Sequence, residues 1–282
     1  MLHEYLRVLK YDGTTFSDLS LDNQNESTNL DLALTTTDYI YLGQYFAFNN
    51  FFINLDTANT SASILSLEYW NGSEWKSALD LLDGTSLSGV TLSQSGVVQF
   101  SPDRLYGWNR VSDTSETSAP TEMQSLTIYN MMWLRFKPTI NIDALTDAFS
   151  ISYAFTSSQQ LNNHDIEINN YYDRFAVGKT DWNNEIVTAS RYLVADLKRK
   201  NIVQDHAQIL RFDDVSLACE WKTLEHIYNN MGKAYVEKRD DARTQYDKYI
   251  SIRERSLDKN NDASLSMDEL KGSIRNGIRW AI

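Results

Sequence analysis

The chain has 282 residues, 42% of them apolar and 12% aromatic, enough for a sizeable core and for two domains of about 100–170 residues each. Its net charge is −12, and residues 1–160 hold 18 acidic against 7 basic side chains, so the front half carries nearly all of the imbalance. That surplus argues against direct nucleic-acid binding, which needs Lys and Arg to displace phosphate counterions, and against binding to an anionic membrane surface.

The single cysteine, Cys219, excludes an intrachain disulfide framework and falls at a mostly apolar helix position, as a small buried hydrophobe would. The opening MLHEYLR has no basic stretch followed by an apolar core, so no signal peptide is expected. No apolar run approaches the ~18–20 residues of a membrane span. A soluble product of a reducing cytoplasm is the expectation.

The front half reads as short strands between polar turns. Leu2–Tyr11 alternates loosely and ends in the turn Tyr11-Asp12-Gly13-Thr14. Strands are expected over Leu30–Thr36, Asp38–Tyr41 and Phe51–Leu55, with breaks at Gly43 and Asn49-Asn50. In Ser63–Trp70 the apolar face is Leu65, Leu67 and Tyr69, and Ile64 is out of phase. Asn71-Gly72 is a strong hairpin signal that sets Trp70 or Tyr69 across from Trp75. Val97–Phe100, Met131–Lys137 and Ala148–Phe155 complete the strands, and Ser112–Glu122 is polar, unpatterned loop. Strands at this spacing build an antiparallel β-sandwich.

Residues 158–180 are rich in Asn and Gln and form a connecting segment, partly docked through Tyr171, Tyr172 and Phe175. Thr180 or Asp181 then caps a helix whose inner face is Trp182, Ile186, Ala189, Leu193 and Leu197. A second helix follows Asp213-Asp214 along Val215, Ala218, Trp221, Leu224, Tyr228 and Met231, with Gly232 at its end. The third, about Val236–Ser256, mixes Lys238, Arg239, Asp240, Asp241 and Arg243 on a face that is solvated or packed against another copy. The fold class is thus α+β in two domains: a sandwich over 1–157, the connection 158–180, and a helical bundle over 181–282.

One stretch has metal-ligand spacing. Counted from Asp258, oxygen ligands fall at positions 1 (Asp258), 3 (Asn260), 5 (Asp262), 7 (Ser264), 9 (Ser266) and 12 (Glu269), the spacing of an EF-hand calcium loop. Ala263 stands where a left-handed backbone normally demands Gly, so the site would be a weak, structural Ca2+ loop, or a polar turn capping a short helix. Trp70, Trp75 and Trp108 could serve as a sugar-stacking platform, although aromatics in a sandwich are more often core. Glu68, Glu74, Asp80 and Asp83 are the carboxylates a glycosidase pair would draw on. Cys219 and His226 lie about 10 Å apart on one helix and form no dyad. No catalytic motif is present, and no enzyme activity or cofactor is expected.

The run DYIYLGQYFAFNNFFINLDTANT…LSLEYWNGSEWKS, with YGWNRVS and MMWLRFK, resembles a β-sandwich of tailed-bacteriophage virion proteins. The back half, with YDKYISIRERSLDKNNDASLSMDEL, is similar to the helical head–tail connector (neck adaptor) proteins of such phages. The resemblance implies a structural virion protein, assembled in the bacterial cytoplasm, that forms a homo-oligomeric ring of about twelve copies between portal and tail components. It implies no sequence-specific nucleic-acid binding and no membrane contact. The alternative is a receptor- or glycan-binding tail or decoration module using the sandwich aromatics.

Overall fold

The computed structural model describes residues 6–24, 28–45, 48–101, 108–111, 119–124, 126, 131–204, 206–209 and 213–251. The chain divides into two compact units, one ending at Ser152 and the next beginning at Tyr153. The described residues form two antiparallel sheets and five α-helices, with the helices all after Ser152.

In the first unit the strands are β1 (Arg7–Tyr11), β2 (Phe16–Asp18), β3 (Leu30–Asp31), β4 (Tyr39–Gln44), β5 (Asn50–Thr57), β6 (Leu65–Trp70), β7 (Trp75–Ser77), β8 (Leu79–Asp83), β9 (Gly96–Ser101), β10 (Arg110–Val111), β11 (Met131–Pro138) and β12 (Asp147–Ser152). One sheet has the order β2-β1-β4-β11-β6-β7, with β10 also on β11; the other runs β3-β12-β5-β9-β8. Alternation decides which side chains are buried between the sheets. Ile40 and Leu42 of β4, Leu134 and Phe136 of β11, and Leu65, Leu67 and Tyr69 of β6 are all buried. Phe51 of β5 stacks on Phe136 at 5.5 Å between ring centroids, which joins the two sheets face to face. Trp108 fills one end of this core, 5.0 Å from Phe48 and 6.0 Å from Tyr69, and donates its indole N–H to the Trp133 carbonyl at 3.2 Å.

Three local expectations need correction. Gly43 does not break the chain; it lies inside β4, opposite Trp133 of β11, and the large ring occupies the space a side chain would need. Leu30–Thr36 pairs only over β3, because Asp31 and Asp38 then draw the backbone into turns by accepting Ala33 N–H and Thr35 N–H, both at 2.9 Å. Leu32 and Leu34 are nonetheless fully buried. The Asn71 turn is a four-residue loop in which Gly72 alone takes a positive φ, of 99°. Its Asn71 carboxamide oxygen accepts from Ser73 and Glu74 N–H at 2.9 Å, and Trp70 pairs with Trp75 across it.

The second unit contains α1 (Ser158–Asn162), α2 (Tyr172–Phe175), α3 (Asn183–Arg199), α4 (Asp213–Asn230) and α5 (Val236–Ile250). The residues read as a connection, 158–180, are therefore partly helical, and Ile168 and Tyr171 are buried in this unit. Asp181 accepts from Asn183 N–H at 2.8 Å and so satisfies a free donor at the start of α3. Trp182, Ile186, Ala189, Leu193 and Leu197 are all fully buried. Gly232, at φ 86°, turns the chain between α4 and α5 in a conformation that costs other residues dearly. Leu193, Val194 and Leu197 meet Val215, Ala218 and Cys219 of α4 and Tyr246 and Ile250 of α5 in one core.

Candidate functional site

The densest chemistry in the sandwich unit lies on the outer face of the larger sheet. Residues 39, 41, 68, 70, 133 and 135 point there by alternation from their buried neighbours. Arg135 is the hub. It donates from Nε to Glu68 at 2.8 Å, and from Nη1 to Glu122 at 2.9 Å and to the Tyr41 oxygen at 3.2 Å. Tyr41 O–H and Trp75 Nε1–H in turn donate to Glu122, at 3.0 and 2.8 Å. The guanidinium carbon sits 4.2 Å from the Tyr39 ring centroid and 4.4 Å from that of Trp75. Burial, with the Glu122 charge beside it, pushes the Tyr41 hydroxyl far above its ordinary range, so it stays a neutral donor.

This arrangement bears on the sugar-platform reading. Trp70 and Trp108 are buried, the Arg135 guanidinium lies over the half-buried Trp75 ring, and both Arg135 and Lys137 lie over the Tyr39 ring, the Lys137 Nζ 4.4 Å from its centroid. A stacking site needs free ring faces, which Trp70 and Trp108 do not offer. Three of the four carboxylates weighed as a glycosidase pair have local partners. Glu68 pairs with Arg135, Glu74 with Lys76 at 2.7 Å, and Asp83 accepts from the Thr85 and Thr91 hydroxyls at 2.5 Å each.

A second polar cluster lies in the helical unit, around a cleft of about 210 Å3 lined by His164, Asp165, Trp221, Leu224, Tyr228, Lys238 and Asp241. Asp165 accepts from Tyr228 O–H at 2.7 Å and from Lys238 Nζ at 2.8 Å, and Lys238 also donates to the Tyr171 oxygen at 2.9 Å. Burial would raise Asp165, but the Lys238 and Tyr228 bonds outweigh it and hold the carboxyl below its usual range. His164 Nε2 lies 2.5 Å from Glu220, with its ring 4.4 Å from Trp221. The pattern straps residues 164–171 onto α4 and α5. No sequence motif announces it, because its members are spread over more than seventy positions and meet only through helix packing.

The Asp258, Asn260, Asp262, Ser264, Ser266 and Glu269 loop lies outside the described residues. Among the described residues no group of three or more His, Cys, Asp or Glu side chains is placed to hold a metal ion. Cys219 is fully buried beside Ser190 Oγ at 3.2 Å, and burial pushes its thiol up to about 12, so it is packing and not a nucleophile. No helix of the described residues is long and apolar enough to cross a membrane.

The loops at one end of the sandwich are held by hydrogen bonds. Asp143 accepts from Thr60 N–H and O–H, both at 2.6 Å, and from the Ser61 hydroxyl. The Ser61 and Thr60 hydroxyls move its carboxyl from the ordinary 3.8 down to about 2. A carboxylate lowered by folding stabilises the fold above its unfolded value and loses that contribution as pH falls through the folded one. Urea midpoints are therefore expected to drop between about pH 4 and about pH 2, and Asp143→Asn should make that drop shallower. An unchanged acid profile in the variant would contradict the assignment.

A scan against protein-family models finds no match to this chain, and searches of curated proteins and of solved structures return none.

Proposed function

We propose that the protein is a structural component of a tailed-phage particle, assembling as a homo-oligomeric ring at the head–tail junction and joining portal to tail components. The observation that carries this reading is the placement of large aliphatic side chains on the outside of the sandwich unit. Leu21, Ile64, Leu79, Leu82, Leu87, Ile140 and Leu145 are exposed, while the unit's aromatic and charged clusters are internally engaged. In this reading these aliphatics are the positions at which another protein surface is met. The polar clusters serve to hold shape.

In this reading the sandwich and the helical unit are two domains. The exposed side chains of α5 away from the Asp165 cleft, Asp240 and Arg243 among them, mix both signs and suit neighbour-to-neighbour contact in a ring. The acidic sandwich is kept from packaged DNA by its charge. Function then rests on shape and self-contact, with no bond made or broken by this chain.

The test is light scattering and negative-stain imaging of the purified full chain, followed by antibody labelling of particles that contain it. Closed rings, and label confined to the junction of head and tail, are the expected results. A monomer at every accessible concentration, or label at fibre tips or the baseplate rim, would overturn the proposal.

A further inference from the structure

Three loops at one end of the sandwich, residues 56–64, 83–94 and 139–147, are tied into a single apex. Asn59 N–H donates to the Leu92 carbonyl at 2.7 Å, Thr91 N–H to the Ser63 carbonyl at 3.0 Å, and Thr139 N–H to the Ile64 carbonyl at 2.9 Å. Asn59 Nδ2 bonds the Thr91 and Ser61 carbonyls, both at 2.9 Å, while Asp143 fixes Thr60 and Ser61.

Polarity in this apex is mixed. Asn59, Ser63, Thr85, Thr91 and Thr146 are buried together with Leu92 and Ile142, whereas Ile64 is 68%, Leu87 56%, Ile140 58% and Leu145 77% exposed, beside exposed polar residues such as Thr60 and Asn141. Each exposed aliphatic forgoes about 1.5–3 kcal/mol of burial. A hydrogen-bonded frame that holds four aliphatics outward offers a surface for a partner to cover.

Its charge narrows what covers it. The three loops contain four aspartates, Asp56, Asp83, Asp143 and Asp147, and neither Lys nor Arg. The bordering cations are engaged, Lys10 by Asp31 at 2.7 Å and Lys137 by the Thr36 carbonyl at 3.1 Å. The complement is a segment both aliphatic and basic. Within this sequence residues 270–282 have that composition: Lys271, Arg275 and Arg279 alternate with Ile274, Ile278, Trp280 and Ile282, with no Asp or Glu from Lys271 onward.

We infer that the apex receives residues 270–282 of a second copy of this chain, the aliphatics and Trp280 covering Ile64, Leu87, Ile140 and Leu145 while the basic side chains meet the aspartates. The inference rests on the self-assembly part of the function proposed above and names a contact that assembly uses. The aspartate-only rim disfavours apex-to-apex pairing, so the contact is heterologous and propagates from copy to copy as a ring requires.

The experiment uses full-length chains carrying single cysteines at the two surfaces. Ile140→Cys and Ile278→Cys proteins are mixed, oxidised mildly and run without reductant; native Cys219 is buried and takes no part. A crosslinked heterodimer is expected, at roughly tenfold or more the yield of Ile140→Cys mixed with Lys200→Cys. Adding Arg275→Glu and Arg279→Glu to the Ile278→Cys chain should return the yield to that control level. Circular dichroism checks that each variant is folded. No heterodimer above control, or crosslinking only within one chain in the Ile140→Cys/Ile278→Cys double variant, overturns the inference. Rings that form without the crosslink would sink this contact and leave the assembly reading standing, whereas failure of assembly is read separately by light scattering.

Discussion

Replacing Arg135 by Met is expected to lower the unfolding free energy by about 2–4 kcal/mol at neutral pH, a loss measured by urea denaturation. Arg135 holds two carboxylates, Glu68 and Glu122, through separate nitrogens, and it fills the gap between the Tyr39 and Trp75 rings. Methionine keeps most of the stem and loses the charge, leaving Glu68 and Glu122 near each other without a cation. Side-chain exposures of 15% for Arg135, 24% for Glu68 and 20% for Glu122 place the group between a surface pair and a fully buried one. The expected loss is set below the about 3–5 kcal/mol of a fully buried pair for that reason.

A second substitution separates this account from simple loss of packing. Glu122→Gln added to Arg135→Met should recover part of the loss, because it removes one of the two carboxylates left without a cation. No recovery in the double variant would mean that the guanidinium matters only as filler. Arg135→Lys should also fall short, since one ammonium cannot reproduce the two-sided fork or the stacking between rings.

Much of the fold is legible in the sequence where one period governs a stretch. The steps from Trp182 to Leu197 put five side chains on one helix face, and all five are buried. Ile64, out of phase with Leu65 and Leu67, is exposed, and Trp70 faces Trp75 across the turn. The sequence is silent where position depends on partners far along the chain. Leu32 and Leu34 alternate like a strand, but their backbone is claimed by Asp31 and Asp38 turns. Arg135 and Glu122 stand thirteen residues apart, and their bond follows from a segment crossing the outer sheet face that no periodicity encodes.

The same distinction explains the aromatic segment around β4 and β5. Composition alone leaves two uses for Tyr39, Tyr41, Trp70 and Trp75, a ligand platform or a packed face. The choice depends on whether ring faces are free, which is set by cross-strand neighbours and not by spacing. Tyr41 meets Trp75 edge-on at 5.5 Å, and Trp70 meets Trp75 at 5.4 Å, so the rings chiefly face one another. An aromatic surface so engaged contributes rigidity, and the exposed aliphatics of the loop apex remain as the surface available for contact.

Gly43→Val is the second substitution with a large expected effect, about 3 kcal/mol or more of lost stability. Its φ is not positive, so backbone conformation does not require glycine there. Space does. A Cβ at this position would stand 2.6–2.9 Å from three atoms of the Trp133 ring, and Trp133 is fully buried in the cluster with Leu9, Tyr41, Trp70 and Met123. The ring cannot swing away without disturbing that cluster, and β4 and β11 are both interior strands of their sheet. On strand propensity alone Gly→Ala or Gly→Val would stabilise β4, so the two effects have opposite signs and the measured sign decides between them. Trp133 Nε1 has no acceptor among the described residues, and Trp133→Phe removes ring volume at this contact. In a double-mutant cycle the Gly43→Ala penalty should therefore be smaller by about 1 kcal/mol or more in the Trp133→Phe background than in the native one. Equal penalties in the two backgrounds would show that the indole does not set the requirement for glycine at residue 43.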